Sequence, residues 1–222
     1  MNAGLRISRI HFPVQVLGPG ERIGVWVQGC DLACHGCMAR DTWAADGGVE
    51  LDVSQVIERM LSNVGDTEVD GITISGGEPF DQPDGLRAIL EQLPSRLRRR
   101  QRREVDVLVY SGHSWGHLQD RHRDILELVD AVIPEPFDSA QMPGGRWRGS
   151  ANQPLMVLSE LGRERFGAPS AAGGPSAPTM QVAVDEDGVW MIGVPRSAGD
   201  LRRLEGALRR RGVTLGEASW RP

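Results

Sequence analysis

Gly71-Ile72-Thr73-Ile74-Ser75-Gly76-Gly77-Glu78-Pro79 is the stretch from which the fold of this chain is read. An apolar run closed by two glycines reads as a buried strand entering a tight turn. Shortly after it, Pro83 suits a first helical position, and Leu86, Ile89, Leu90 and Leu93 follow at helical spacing. Strand, turn and helix in this order make one β-α unit, and the pattern repeats on both sides. Apolar runs recur at 23–28, 105–110, 130–133, 155–158, 180–184 and 189–192. Asp52 caps a helix whose Val53, Val56, Ile57, Met60 and Leu61 share one face. Ser114 caps another that runs through Leu118, Ile125, Leu126 and Val129, and Leu201, Leu204 and Leu208 form a last stripe.

Strands alternating with helices predict an α/β fold with a parallel sheet. At 222 residues the chain is shorter than the roughly 250 of a full eight-stranded barrel. The expectation is an incomplete (partial) TIM-type β/α barrel of about six parallel strands, built as a single domain over 1–222. The Gly/Pro/Ser/Ala-rich stretch at 167–179 reads as a flexible loop or linker, and Asp185-Glu186-Asp187-Gly188 as a hairpin turn. In such sheets ligands sit at the C-terminal ends of strands, where most of the polar motifs fall.

The cysteines come next. The chain has 3, all within Cys30-Asp31-Leu32-Ala33-Cys34-His35-Gly36-Cys37. Thiolates are soft ligands that suit iron–sulfur clusters and zinc alike. Clusters are usually held by four thiolates, so three would leave one iron open, and an open metal position is where chemistry happens. The competing reading is a structural zinc site completed by His35, His11 or His113.

Composition narrows the classes. The 25 basic residues are all arginine. This excludes a phosphate-loop lysine, a pyridoxal Schiff base and a lysine general base. A net charge of −5 gives no support for nucleic-acid or membrane binding. No segment near Met1 has the layout of a secretion signal, and no apolar run approaches the ~20 residues of a membrane span. A cytoplasmic protein with reduced thiols is expected.

The spacing C-x3-C-x2-C, followed by the Gly76-Gly77-Glu78-Pro79 turn, resembles the radical S-adenosylmethionine (SAM) enzymes. Further motifs are similar to the proteins that activate glycyl radical enzymes, and among these to the activases of anaerobic ribonucleotide reductase. They are Gly18-Pro19-Gly20-Glu21-Arg22, Val27-Gln28-Gly29-Cys30, Asp41-Thr42-Trp43, Tyr110-Ser111-Gly112-His113-Ser114-Trp115, Pro136-Phe137 and Trp147-Arg148-Gly149-Ser150-Ala151-Asn152-Gln153. The resemblance covers roughly residues 5–158.

It implies that Cys30, Cys34 and Cys37 hold a 4Fe-4S cluster whose open iron chelates SAM. Reductive cleavage then gives a 5′-deoxyadenosyl radical. It implies that Ser75, Gly76, Gly77, Glu78 and Pro79 meet the methionine end of SAM, and that Ser150 and Asn152 supply hydroxyl and amide contacts. A strand-to-helix turn accounts for the glycines as well, and turn formation for Asn152. Ser111 and His113 would face the cofactor, although His113 also reads as an ordinary polar residue at a loop start. Gly36, where many radical SAM enzymes carry an aromatic, reads as a subgroup marker. One departure stands out: the similar activases usually show Asp-Gly-Pro-Phe where this chain has Pro134-Glu135-Pro136-Phe137.

The implied partner is a glycyl radical enzyme, with flavodoxin or ferredoxin as reductant. The alternatives are a tailoring enzyme acting directly on a small molecule or peptide, and a non-catalytic metal-binding module. The arginines at 96, 98, 99, 100, 102 and 103 read as a solvated helix end, or else as a surface for an acidic partner.

Overall fold

The computed structural model describes residues 3–167, 179–185 and 188–213. Its elements run β1 (Gly4–Val14), β2 (Arg22–Val27), β3 (Val49–Asp52), α1 (Val53–Val64), β4 (Gly71–Gly76), α2 (Pro83–Gln101) and β5 (Asp106–Tyr110). They continue with α3 (Trp115–Arg121), α4 (Arg123–Leu126), β6 (Ala131–Ile133), β7 (Met156–Val157), α5 (Glu160–Phe166), β8 (Met180–Asp185), β9 (Gly188–Gly193) and α6 (Ala198–Arg210). Apart from its end residues, the 167–179 stretch lies outside the described residues, as do Glu186 and Asp187 of the expected hairpin turn.

The fold is α/β around a largely parallel sheet, in the order β3-β1-β2-β4-β5-β6-β7. The expected count of about six parallel strands is corrected: β2, β4, β5 and β6 are the strands joined by parallel pairing. The 155–158 run makes a two-residue antiparallel edge on β6. The 180–184 and 189–192 runs pair with each other, Asp185 opposite Gly188, because so short a connection allows only an antiparallel return. The strands β1 and β3 extend the other side, both antiparallel.

Successive side chains of a strand point to opposite faces. One face of the parallel strands carries Ile23, Val25, Val27, Ile72, Ile74, Val107, Val109 and Val132, packed in the main core with α1 and α2. Those helices form as read. Gln55 Oε1 accepts the Asp52 N–H at 3.1 Å in a capping box, and Pro83 opens α2. The helix after Ser114, whose hydroxyl accepts from His117 N–H at 3.3 Å, is shorter than expected. It breaks at His122, whose φ of −135° leaves the helical region, and resumes as α4.

The second face carries Arg22, Trp26, Thr73, Ser75, Asp106, Leu108 and Tyr110. At its N-terminal end Arg22, Gly71 and Asp106 are opposite one another in parallel register. The guanidinium of Arg22 and the carboxylate of Asp106, both 0% exposed, lie 2.7 Å apart. Arg22 Nε donates to Thr73 Oγ1 at 2.7 Å and Nη2 to the Ile72 carbonyl at 2.7 Å. A Cβ on Gly71 would fall 2.2 Å from that guanidinium, which accounts for the glycine. Above this floor, Trp147 and Phe166 pack on Leu108, Ala131 and Ile133, while the β8–β9 hairpin packs on Val14, Val16, Leu17 and Trp26.

The arginine run is the C-terminal end of α2, and much of it is engaged within the chain. Arg96 pairs with Glu58 at 2.9 Å, Arg98 with Glu104 at 2.9 Å, Arg100 with Asp66 at 3.1 Å and Arg103 with Glu68 at 2.8 Å.

Candidate active site

The cysteine loop starts where β2 ends and is closed by a strap formed by 41–44. Gly29 N–H donates to Thr42 O at 2.8 Å and Cys30 N–H to Trp43 O at 3.1 Å. The buried Gln28 amide donates to Ala44 O at 2.8 Å. Within the loop, Gly36 has φ +76° and its Cβ position lies 3.1 Å from Ser139 Cβ. Both facts disfavour a side chain there, a physical reason for the missing aromatic. The three thiols are half-buried and line one cavity of about 1070 Å³.

The glycines after β4 press against this loop. Gly77 N–H donates to Val27 O at 2.8 Å, and Glu78 N–H to Gly29 O at 2.9 Å. A Cβ on Gly77 would sit 2.2 Å from the Gly29 carbonyl oxygen, and one on Gly76, at φ +107°, 2.5 Å from Val27 N. The pair lets two backbones meet directly under Cys30. Glu78 then turns inward and is buried. Its Oε1 accepts from Phe80 N–H at 3.0 Å and Ser111 Oγ at 2.9 Å; Oε2 accepts from Gly112 N–H at 2.6 Å. One carboxylate thus ties the end of β4 to the end of β5.

Electrostatics follow from this packing. Burial pushes the Cys30 thiol up to about 11; the Leu32 N–H opposes the rise, while the Glu78 charge and the other two thiols add to it. Burial also raises Cys34, against hydrogen bonding from the Phe137 backbone. Burial raises Glu78 too, opposed by the N–H groups of Phe80 and Gly112, by His113 and by Ser111. Burial thus favours the neutral thiol at Cys30 and Cys34, and metal binding is what draws such groups into thiolates.

The donor set fits a cluster better than a zinc ion. Tetrahedral zinc needs four donors within about 2.3 Å of one point. Among the described residues no three His, Cys, Asp or Glu side chains converge on a single-ion site. The histidines proposed as a fourth ligand are engaged elsewhere. His35 Nδ1 is 3.2 Å from Ser139 Oγ, His113 Nε2 2.9 Å from Asp81 Oδ1, and His11 packs edge-on to Trp190 at 4.9 Å. A cluster takes one thiolate per iron, which suits three thiols spread around one cavity.

Ser75, Gly77, Glu78 and Ser111 line the same cavity as Cys30, Cys34 and Cys37. Gly76, Pro79, His113, Ser150 and Asn152 are not among its lining residues. Pro79 begins a buried single turn behind Glu78. The Ser150 hydroxyl, fully buried, accepts from Asp138 N–H at 3.1 Å, and Asn152 Nδ2 donates to Pro136 O at 2.8 Å. They brace the 135–153 loop behind the wall. Glu135 does reach the cavity, at φ +82°, and its Oε1 accepts from Trp115 N–H at 2.9 Å, the first N–H of α3. The usual glycine of the similar activases would hold that backbone angle without strain. Sequence reading missed Trp26, Tyr110, Gln153 and Trp190 as lining residues. The two-residue spacing of Gly24 and Trp26 on β2 is the one local signal that could have found any of them.

The family described as 4Fe-4S single cluster domain matches residues 16–156. The chain is 31% identical over 147 residues to the anaerobic ribonucleoside-triphosphate reductase-activating protein of Vibrio cholerae, covering 64% of this chain and 92% of that one. It is 33% identical over 148 residues to the protein of that name from Haemophilus influenzae, with 64% and 92% covered. The phage T4 protein is 29% identical over 140 residues, with 63% and 86% covered. With three thiols, the double-glycine turn and the Glu78 anchor meeting at one cavity inside the matched region, the chain belongs to the 4Fe-4S single cluster domain family and, within the radical SAM proteins, to the group of these reductase-activating proteins.

Proposed function

We propose that this chain activates a glycyl radical enzyme, an anaerobic ribonucleoside-triphosphate reductase, by radical SAM chemistry. The observation that carries this reading is the meeting of Cys30, Cys34, Cys37, Ser75 and Glu78 on one cavity at the C-terminal ends of β2, β4 and β5. A cluster held by Cys30, Cys34 and Cys37, together with SAM, would supply the chemistry, namely one-electron cleavage of the sulfonium, with the electron from a donor such as flavodoxin or ferredoxin, to methionine and a hydrogen-abstracting 5′-deoxyadenosyl radical.

The protein's own residues hold and shield. Cys30, Cys34 and Cys37 are the cluster ligands. Ser75, Gly77 and Glu78 form the edge facing the methionine end of SAM, with Gly76 and Pro79 shaping the turn. Glu78 brings negative charge toward the SAM amino group, and Ser111 fixes the carboxylate from behind. His113, Ser150 and Asn152 act on the cofactor through the loops they brace. We read the sheet as part of a barrel wall, the whole chain as one domain, and the reducing cytoplasm as its setting. No helix among the described residues is long and apolar enough to cross a membrane.

Anaerobic reconstitution tests the reading. About four irons per chain are expected, with 5′-deoxyadenosine released on reduction with SAM, and Cys34→Ala should abolish both. Iron loading without any 5′-deoxyadenosine would refute the enzyme. A second reading, direct tailoring of a small molecule or peptide, is raised by the cavity wall that β9 and α6 add beyond the family match. A glycyl doublet in electron paramagnetic resonance when the reductase is added would decide against it.

A further inference from the structure

The cavity has two differently built sides. Thiols, Ser75, Glu78, Ser111 and Gln153 make one. The other is apolar and comes from Leu17 and Trp26 together with Val182, Trp190, Ile192, Val194, Leu204 and Leu208 of the C-terminal segment. That segment follows residue 156, where the family match ends, and so is an addition to the shared core. It is also firmly seated. Trp190 packs edge-on to Trp26 at 5.5 Å and to His11 at 4.9 Å, with the Arg9 guanidinium 5.1 Å from its ring. Gln181 bridges to β1, accepting from Gln15 N–H at 3.0 Å and donating to Pro13 O at 2.6 Å.

A cavity of about 1070 Å³ exceeds the roughly 300–1,000 Å³ that suits one drug-sized ligand. The polar side accounts for the cluster and SAM, and leaves the apolar side for a second guest next to the reacting atoms. At the rim, large apolar side chains face solvent from both directions. Leu32 of the cysteine loop is 36% exposed and Val182 of β8 57% exposed, and both line the cavity. These two side chains carry the apolar surface of the cavity wall out to solvent.

We infer that β8, β9 and α6 form the substrate-recognition wall of this enzyme, and that this wall takes an extended stretch of polypeptide whose reacting glycine is flanked by apolar side chains. Trp190 is the anchor of the wall and Val182 its rim. The inference rests on the radical SAM activase reading and names what that site recognises. A carboxylate-flanked glycine is disfavoured, since its charges would be desolvated against Trp190, Ile192 and Leu204, and the cations lining the cavity, Arg9 and Arg40, are already engaged by Asp41 and by the Trp43 ring.

The test uses the full-length reconstituted, reduced protein with SAM and a short synthetic peptide. Its single glycine is α-dideuterated and flanked by leucines; a second peptide replaces the leucines by aspartates. Mass spectrometry reads deuterium in 5′-deoxyadenosine as a fraction of all 5′-deoxyadenosine formed. That ratio is insensitive to a general loss of the cofactor site. The deuterated fraction should be about tenfold higher with the leucine peptide, and about tenfold lower in Val182→Asp and in Trp190→Ala than in wild type, the scale of one interface hot spot. Equal fractions from the two peptides, or fractions unchanged in both variants, overturn the inference while leaving the radical chemistry standing. Absence of 5′-deoxyadenosine from wild type overturns the activase reading, and this inference with it.

Discussion

The Ser111 hydroxyl donates to Glu78 Oε1 across 2.9 Å, so a buried carboxylate holds the ends of two adjacent parallel strands beside the three thiols. Glu78 can be buried at the cavity wall because three donors compensate it there.

Glu78 gives a signed pH prediction. Burial raises its folded-state pKa above the ordinary value of about 4.5. For such a carboxyl, protonation favours the fold: the stabilisation is complete below the unfolded pKa and is lost as pH rises through the folded one. Glu78→Gln cannot titrate. Urea midpoints of the metal-free wild type should therefore fall relative to the variant as pH rises through this window; a gap that closes with rising pH would be the wrong sign. The same variant lacks the anion, and 5′-deoxyadenosine formation should drop about tenfold or more, the scale of a lost charged hydrogen bond.

Gly77 should be intolerant of even one carbon. A methyl 2.2 Å from the Gly29 carbonyl oxygen must push the two backbones apart, because neither side is a flexible side chain. Gly77→Ala is expected to cost about 1–3 kcal/mol, as overpacking does, and to lower iron per chain after reconstitution. Full iron loading with wild-type stability would show that the close approach is dispensable.

The floor of the sheet separates stability from chemistry. Arg22 and Asp106 are both 0% exposed and lie at the strand ends opposite the thiols. Asp106→Ala leaves a buried guanidinium without its anion and should cost about 3–5 kcal/mol. The double variant Arg22→Met with Asp106→Leu should recover much of that loss. Chemical denaturation measures both; equal loss in single and double variants would contradict the pairing.

Glu135 combines a strained backbone with a useful side chain. At φ +82° a glycine relaxes the backbone, whereas alanine keeps the strain and also loses the bond to Trp115 N–H. Glu135→Gly should therefore exceed Glu135→Ala in stability by about 1 kcal/mol. Thermal denaturation orders the pair, and the reverse order would remove the strain argument.

What could be read beforehand follows the range of the physics. Asp52 and Pro83 announce α1 and α2 because caps act over a few residues. The three cysteines fall within one short stretch, 30–37, so their loop is legible in the sequence. In β1, by contrast, Arg6, Ser8 and Arg9 interrupt the apolar residues, and β3 is a four-residue edge whose Val49 is 51% exposed, so neither makes an apolar run. The hairpin expected between 180–184 and 189–192 is an antiparallel pair in the structure, whereas 155–158 is antiparallel where a parallel strand is expected, because pairing is set by where a strand's neighbour lies and not by its own composition. The Glu78–Ser111 bond joins residues 33 apart, and Trp190 meets Trp26 across most of the chain; no local pattern carries such contacts.

The most direct test of the whole account is electron paramagnetic resonance of the reduced protein prepared without oxygen, before and after SAM is added. A cluster held by Cys30, Cys34 and Cys37, with one iron open, should give an iron–sulfur signal that shifts when SAM occupies that iron. A signal indifferent to SAM, or zinc found at the cysteines in place of iron, would contradict it.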